Sequence, residues 1–494
     1  MMGRSFLHYF MKSSFGIMVS RLFGLLRDLV VAAVFGANKF TDAFFIAFAI
    51  PNLFRALFAE GALSSAYVPI LAEKNRVSRE DAIKYTNQII YTVGGVILVL
   101  IILVSIFPKY IILIFMPGYK GDVELLLKAS MMLKIVMPYL LFVTVVSIIT
   151  GYLNLYGSYF VSYSSTAMLN IFMIIGAYVG YVYGGSIIYL AYGVFFGGLF
   201  QFLYVFIYSL KKCFYLRKFG EIDKDLKKTF LLIVPSVAGL GVSQINFVVD
   251  RVFASFLATG SISYLYYANR LFQFPLGVFS VALNSVSLTE MSKALADSDT
   301  IKAFKIIDKS IISLLFIVLP ATAGLMMLSH EISSLIYKRG SFGDIDAIFT
   351  AQTLSMYSVG LIFYSLVGLF TRVYYSKKDT ATPVKIAFFM MFLNAIFDYV
   401  LMIPFKHAGI ALSSSIVAFI NTILLYSKLS DYKFSFVEYR SVILKIVFSV
   451  VMMTMVVYIL KYYKINVIIN VVAGGLSYFL FVRLSGLKIR EVLR

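Results

Sequence analysis

The sequence predicts an all-α polytopic membrane protein with fourteen transmembrane helices, arranged as two six-helix lobes related by an internal repeat plus two additional C-terminal helices. Three observations carry this reading: the composition, the number of long apolar segments, and a faint repetition along the chain. Of 494 residues, 61% are hydrophobic and 14% charged, against about 25% charged in a typical soluble domain. The mean hydropathy is +0.89. A spanning helix takes about 20 mostly apolar residues. On that ruler spans fall near 7–35, 41–70, 85–107, 124–153, 161–181, 186–210, 228–257, 262–292, 304–328, 346–375, 383–403, 408–428, 441–461 and 465–484. Several are longer than the bilayer requires, which implies tilt, kinks or extension beyond it. Pro51, Pro138 and Pro275 sit inside spans, where the missing amide donor favours a kink.

The repetition has a spacing of roughly 220 residues. LNLYGSYFVSYSSTAMLNIF (153–172) parallels YYSKKDTATPVKIAFFMMFLNAIF (374–397), both carrying an Asn near the end within an apolar helix, and YLAYGV (189–194) parallels GIALSS (409–414). The expected organisation is an N-terminal lobe over 1–210, a basic cytoplasmic linker over 211–227, a C-terminal lobe over 228–429, and two further spans over 430–494. Parallel repeats joined by a central loop are a common transporter design, with the substrate site between the halves.

The formal charge is +20. In a membrane protein this reads as basic cytoplasmic loops facing anionic headgroups rather than as a nucleic-acid surface. EKNRVSREDAIK (73–84), KKCFYLRKFGEIDKDLKK (211–228), KKDT (377–380) and KIREVLR (488–494) are basic, whereas YGGS (183–186) and LATGS (257–261) carry no positive charge. Both termini are therefore expected in the cytoplasm. Arg4 and Lys12 precede apolar sequence as in a signal peptide, but no A-x-A-like site follows and Arg21 and Arg27 interrupt the run, so this is read as a retained first span. Cys213 is the sole cysteine, and His8, His330 and His407 are scattered, so neither a disulfide framework nor a metal cluster is expected. No GxxxxGK[ST], HExxH or GxSxG motif occurs. The chain reads as a transporter, not an enzyme.

Charges within the spans point to function, because each costs roughly 2.5–3.5 kcal/mol at a helix centre. SRLFGLLRD (20–28) places Arg21, Gly24 and Asp28 on one helical face, with Arg27 about 100° away from Asp28. Asp42, Arg55 and Glu60 follow in the second span, and Arg270 lies in the eighth. Arg–Asp or Arg–Glu pairing would make them structural. Alternatively, several arginines from two lobes would form an anion receptor, since the guanidinium fork matches phosphate. A second constellation combines Asp250 in SQINFVVDR, Asn394 and Asp398 in NAIFD, and Ser414 in GIALSS. Two carboxylates with amide and hydroxyl oxygens suit a hard monovalent cation or a proton; helix–helix hydrogen bonding is the structural alternative.

SRLFGLLRD, followed by TDAFFIAFAIPNLFRALFAEGALSSAYVP, closely resembles the N-terminal signature of the MurJ (MviN) lipid II flippases, members of the multidrug/oligosaccharidyl-lipid/polysaccharide exporter superfamily. SQINFVVD, SISYLYYANRLFQFPLGVFSVAL and KKDTATP resemble the corresponding stretches of the second lobe, and the similarity runs over essentially the whole chain. The resemblance implies a bacterial cytoplasmic (inner) membrane protein that flips lipid II by rocking of its lobes, works as a monomer, and couples return to sodium, the membrane potential, or both. It assigns the pyrophosphate-binding arginines to Arg21, Arg27, Arg55 and Arg270, and cavity acids to Asp28, Asp42 and Glu60. It assigns a sodium site to Asp250, Asn394, Asp398, Ile410 (through its carbonyl) and Ser414, and a groove for the prenyl tail to the last two spans. Partners would be lipid II, membrane lipids and cell-wall synthesis proteins. The chain has Gln273 where some members carry Glu, which puts an acid-dependent role there in doubt. Competing readings are an exporter of another undecaprenyl-pyrophosphate oligosaccharide, a drug/cation antiporter of the same superfamily, and a membrane scaffold.

Overall fold

A computed structural model describes residues 2–57, 62–217, 224–488 and 492, and among them every regular element is helical. Ten helices are long and apolar enough to cross a membrane, or eleven if Asp344–Val359 and Leu361–Ser376, bent by 42° at Gly360, form one span. The chain divides into two compact units: Met1–Gly260 with Arg339–Phe342, and Ser261–Lys338 with Gly343–Arg494.

The first unit contains α1 (Met2–Phe35), α2 (Lys39–Phe54), α3 (Ala62–Val77), α4 (Arg79–Ile106), α5 (Pro108–Phe115), α6 (Val123–Val136), α7 (Tyr139–Leu155), α8 (Tyr159–Ser164), α9 (Thr166–Val182), α10 (Ile188–Lys211) and α11 (Lys224–Ala254). Polar side chains set several of the starts. Asn38 accepts from the amides of Phe40 and Thr41 to open α2, and Ser78 accepts from Asp81 to open α4, whose first turn carries Glu80 and Asp81. Asp122 opens α6 by accepting from the Leu125 amide and also receives Lys39 Nζ at 2.7 Å, so the starts of α2 and α6 are tied together. The Lys39 ammonium and the Leu125 amide hold the Asp122 carboxyl below its ordinary range.

The prolines act where the sequence places them. Pro138 separates α6 from α7, which begins at Tyr139. Pro51 lies in the last turns of α2, and π-type turns follow over 55–57. Of the span expected over 41–70, the described residues form α2 to Phe54, the π-type turns and α3 from Ala62, and the joint between them lies outside the described residues. α11, expected to open the second lobe, packs with α3 in the first unit.

Helices α9 and α10 meet backbone to backbone. A methyl group on Gly193 would lie 2.6 Å from the Phe172 carbonyl oxygen, and one on Gly176 would lie 2.5 Å from that of Tyr189. Small residues permit this approach, which supplies the packing that apolar burial cannot supply in lipid. Gly193→Ala is expected to destabilise the protein by about 1–3 kcal/mol through overpacking, read as a lower melting temperature in detergent; an unchanged melt would show that the helices separate freely.

The second unit contains α12 (Ser261–Pro275), α13 (Val281–Ala296), α14 (Thr300–Met327), α15 (Ser329–Tyr337), α16 (Asp344–Val359), α17 (Leu361–Ser376), α18 (Ala381–Ser427), α19 (Phe436–Tyr462) and α20 (Val467–Leu484). Pro275 ends α12, and a π-helical segment, Leu276–Ser280, joins it to α13. α18 is a hairpin folded at Lys406, whose backbone is non-helical (φ 52°, ψ −133°). The two arms return so closely that a methyl on Gly409 would meet the Leu401 carbonyl oxygen at 2.1 Å. Ser413 Oγ donates to the Asn394 carbonyl at 3.3 Å across the hairpin. α14, α19 and α20 share an apolar core that includes Ile312, Phe316, Ile446, Met453, Tyr478 and Val482, and Tyr478 Oη donates to the Phe316 carbonyl at 2.7 Å.

Candidate functional site

The polar face of α1 is built from small residues and one ion pair. Gly16, Ser20 and Gly24 recur every fourth residue, the spacing that brings a helix close to its neighbour. A methyl on Gly16 would touch the Phe160 carbonyl oxygen of α8 at 3.1 Å, Ser20 Oγ meets Thr166 Oγ1 of α9, and Gly24 lies beside Asn170. One turn further on, Arg27 and Asp28 are buried, at 6% and 4% exposure. Arg27 donates from Nε and Nη2 to Asp28 Oδ1 at 3.0 and 2.7 Å, and from Nη1 to Asn170 Oδ1 at 3.0 Å. Asn170 in turn donates to the Ser20 carbonyl at 3.3 Å. Arg27 therefore fastens α1 to α9.

Arg21 has a different environment, despite sharing the helical spacing of Gly24 and Asp28. It is exposed, and among the described residues it forms no ion pair. Arg55, half-buried in the π-type turn after α2, donates from Nε to Asn52 Oδ1 at 3.1 Å. Asp42 is fully buried, and its Oδ2 accepts from the Gly260 amide at 2.7 Å and from Tyr119 Oη at 3.2 Å. It ties the start of α2 to the turns that precede α6 and follow α11. Glu60 lies outside the described residues.

Arg270 belongs to the second unit. α12 buries Tyr264, Tyr267, Leu271 and Phe272 on one side and exposes Arg270 on the other. The Arg270 guanidinium stacks 5.0 Å from the Tyr266 ring centroid, with Nη2 3.2 Å from its hydroxyl. Gln273 donates to Asn269 Oδ1 one turn along the same face. The exposed side of α12 thus presents an arginine beside an aromatic ring.

The second constellation divides between the units. Asp250 is half-buried near the end of α11 in the first unit. Asn394, Asp398, Ile410 and Ser414 are all buried on the two arms of α18 in the second. Asn394 Nδ2 donates to Asp398 Oδ2 at 2.9 Å, which couples the amide to the carboxylate. The Ser414 carbonyl accepts from Tyr364 Oη at 3.3 Å.

Comparison with known proteins places these features in a family. The family model described as lipid II flippase MurJ matches residues 31–475. The chain belongs to the MurJ lipid II flippase family. A probable lipid II flippase MurJ of Buchnera aphidicola subsp. Acyrthosiphon pisum is 32% identical over 492 residues, covering 96% of each chain. One from Buchnera aphidicola subsp. Schizaphis graminum is 38% identical over 84% of this chain and 82% of the relative. A solved lipid II flippase MurJ in an inward closed conformation is similar with a TM-score of 0.84 and 30% identity, covering 98% of this chain and 99% of the other. An inward-facing multidrug resistance MATE transporter of the MOP superfamily shares the fold, with a TM-score of 0.70 and 14% identity. MurJ is a transporter family, and the chain is a multi-pass membrane protein of it rather than an enzyme.

Sequence reasoning did not assign partners to Arg27. On α9 these are Asn170, whose Oδ1 accepts from Nη1 at 3.0 Å, and Met173, whose sulfur lies 3.9 Å from Nη1. A signal was present: Asn170 and Asn394 occupy matching places in the two similar segments. Both are buried, and each is hydrogen-bonded to a charged side chain.

Proposed function

We propose that this chain flips lipid II from the cytoplasmic to the periplasmic leaflet of the bacterial cytoplasmic membrane by alternating access. The observation that carries the reading is the full-length similarity to proteins named as lipid II flippases. Arg21 and Arg270, exposed on different units, are the groups we assign first to the pyrophosphate, and Arg55 is the third. A guanidinium matches a phosphate through its planar, permanently charged fork. We assign Arg27 and Asp28 to shaping α1 behind those groups, and Asp42 to holding the span ends in place.

Fourteen spans remain our count. The eleven candidate spans become twelve when the two arms of α18 are counted separately, and α1 and α11 supply the others. Both termini are then cytoplasmic, in keeping with the basic loops. The last two spans would receive the prenyl tail. We read the protein as a working monomer that meets cell-wall synthesis proteins at its cytoplasmic face.

The decisive experiment is complementation in cells depleted of their own lipid II flippase, scored by lipid II exposure at the periplasmic face. Restored exposure is expected; failure of well-expressed wild-type protein would overturn the assignment.

Sodium coupling is part of the same proposal. The donors available on α18 are the amide of Asn394, the carboxylate of Asp398, the Ser414 hydroxyl and the Ile410 carbonyl, all hard oxygens suited to an alkali cation. Asp250 would join them from α11. A bound cation would neutralise the buried carboxylate and link its release to the transport cycle. Sodium, but not choline, is expected to raise the melting temperature of the detergent-purified protein, and Asp398→Asn to remove the shift. A sodium shift that survives loss of both Asp250 and Asp398 would sink the site.

A further inference from the structure

The side of α19 turned away from its helix core carries a feature that the arginine and carboxylate sites described above do not include. One face of this helix packs into the core with α14 and α20 through Ile446, Met453 and Val457. The opposite face opens a groove of about 470 Å³ lined by Arg440, Ser441, Leu444, Lys445 and Phe448, with Ser485 at the end of α20 closing one side. Arg440, Ser441 and Ser485 supply a cation and two hydroxyls, with the apolar Val437 one turn before Arg440. Further along the helix Leu444 and Phe448 supply apolar surface, and Lys445 lies between those two.

The depth of the groove follows from helix geometry. Arg440 and Lys461 are separated by 21 positions on α19, or roughly 32 Å at 1.5 Å per residue, close to the roughly 30 Å of a hydrocarbon core. Lys461 pairs with Glu331 at 3.1 Å at its end. At the other end, Arg440 and Lys445 form no ion pair among the described residues. Arg440 therefore falls at the level of the headgroups, and Lys445 more than one turn below, from where its stem reaches up. A cation at headgroup level, a second whose stem can reach up to it, and apolar side chains alongside match a ligand with a phosphate at one end and a hydrocarbon chain at the other.

We infer that this groove binds an anionic glycerophospholipid, its phosphate between Arg440 and Lys445 and an acyl chain along Leu444 and Phe448. The volume fits a glycerophosphate headgroup with the first methylenes. A prenyl tail alone would leave both cations without an anion. The bound lipid would seal α19 against α20 at that end and tie the helical pair to membranes rich in acidic lipid.

The test uses the full-length protein in nanodiscs or detergent micelles, with phosphatidylglycerol, phosphatidylcholine and soluble glycerol 3-phosphate as separate probes. Retained lipid is counted by native mass spectrometry. Phosphatidylglycerol is expected to stay bound where phosphatidylcholine does not. Arg440→Gln with Lys445→Gln should weaken it about thirty-fold, from a few-fold to tenfold loss for each cation near a membrane surface. Arg440→Lys with Lys445→Arg should retain most of the binding, which separates charge from folding. Equal retention of both phospholipids, or unchanged retention in the double glutamine variant, would overturn the proposal. Glycerol 3-phosphate binding as tightly as the lipid would also overturn it, as would displacement of the phospholipid by equimolar lipid II.

Discussion

Arg27→Ala is expected to lower the stability of the protein by about 3–5 kcal/mol, the range for breaking one side of a buried ion pair. The change removes the two donors held by Asp28 Oδ1 and the one held by Asn170, inside a helix contact where neither acceptor meets water. Asp28→Asn on top of Arg27→Ala should recover part of the loss, because the stranded carboxylate is the costly element. Thermal or denaturant melts of the three proteins in one detergent would test this. A wild-type melt for Arg27→Ala would mean that the pair does not hold α1 against α9. Lost transport in this variant would then report folding, so Arg27 is the wrong arginine with which to probe phosphate binding.

Arg270→Ala should behave in the opposite way. Its side chain is exposed and touches the ring and hydroxyl of Tyr266 on the same helix, so the melt should move little. Lipid II flipping is expected to fall about ten- to a hundred-fold, the scale of a lost charge-assisted contact to phosphate. Arg270→Lys should restore only part of the rate, because an ammonium on a flexible stem lacks the planar fork. A normal flipping rate in a well-expressed Arg270→Ala protein would remove this residue from the substrate site.

The helical class, the long apolar spans and the proline breaks were legible because each depends on local chemistry: the length of an apolar run, or a missing amide donor. Pro138 and Pro275 stand at the ends of helices for that reason. The division of labour among the arginines was not legible. Helical spacing puts Arg21 nearer to the Asp28 face than Arg27, yet Arg27 is the buried partner. The guanidinium reaches back to the adjacent carboxylate while α9 supplies Asn170, and that choice depends on which helix packs alongside. Asp42 is a similar case. Its Oδ2 accepts from Gly260 and Tyr119, which lie far away in sequence. The pairing of Asn394 with Asp398 was within reach, because an i, i+4 spacing on one helix is local.

The Arg27–Asp28 pair also bears on how transport would respond to voltage. Its two charges sit on adjacent residues and sum to zero, so any displacement of that turn along the membrane normal carries almost no electrical work. A displaced lone guanidinium, by contrast, would exchange about 2.3 kcal/mol per 100 mV with the field. Between Lys12 and the end of α1, any gating charge should therefore arise at Arg21, nearly two turns away from an electrically silent pair.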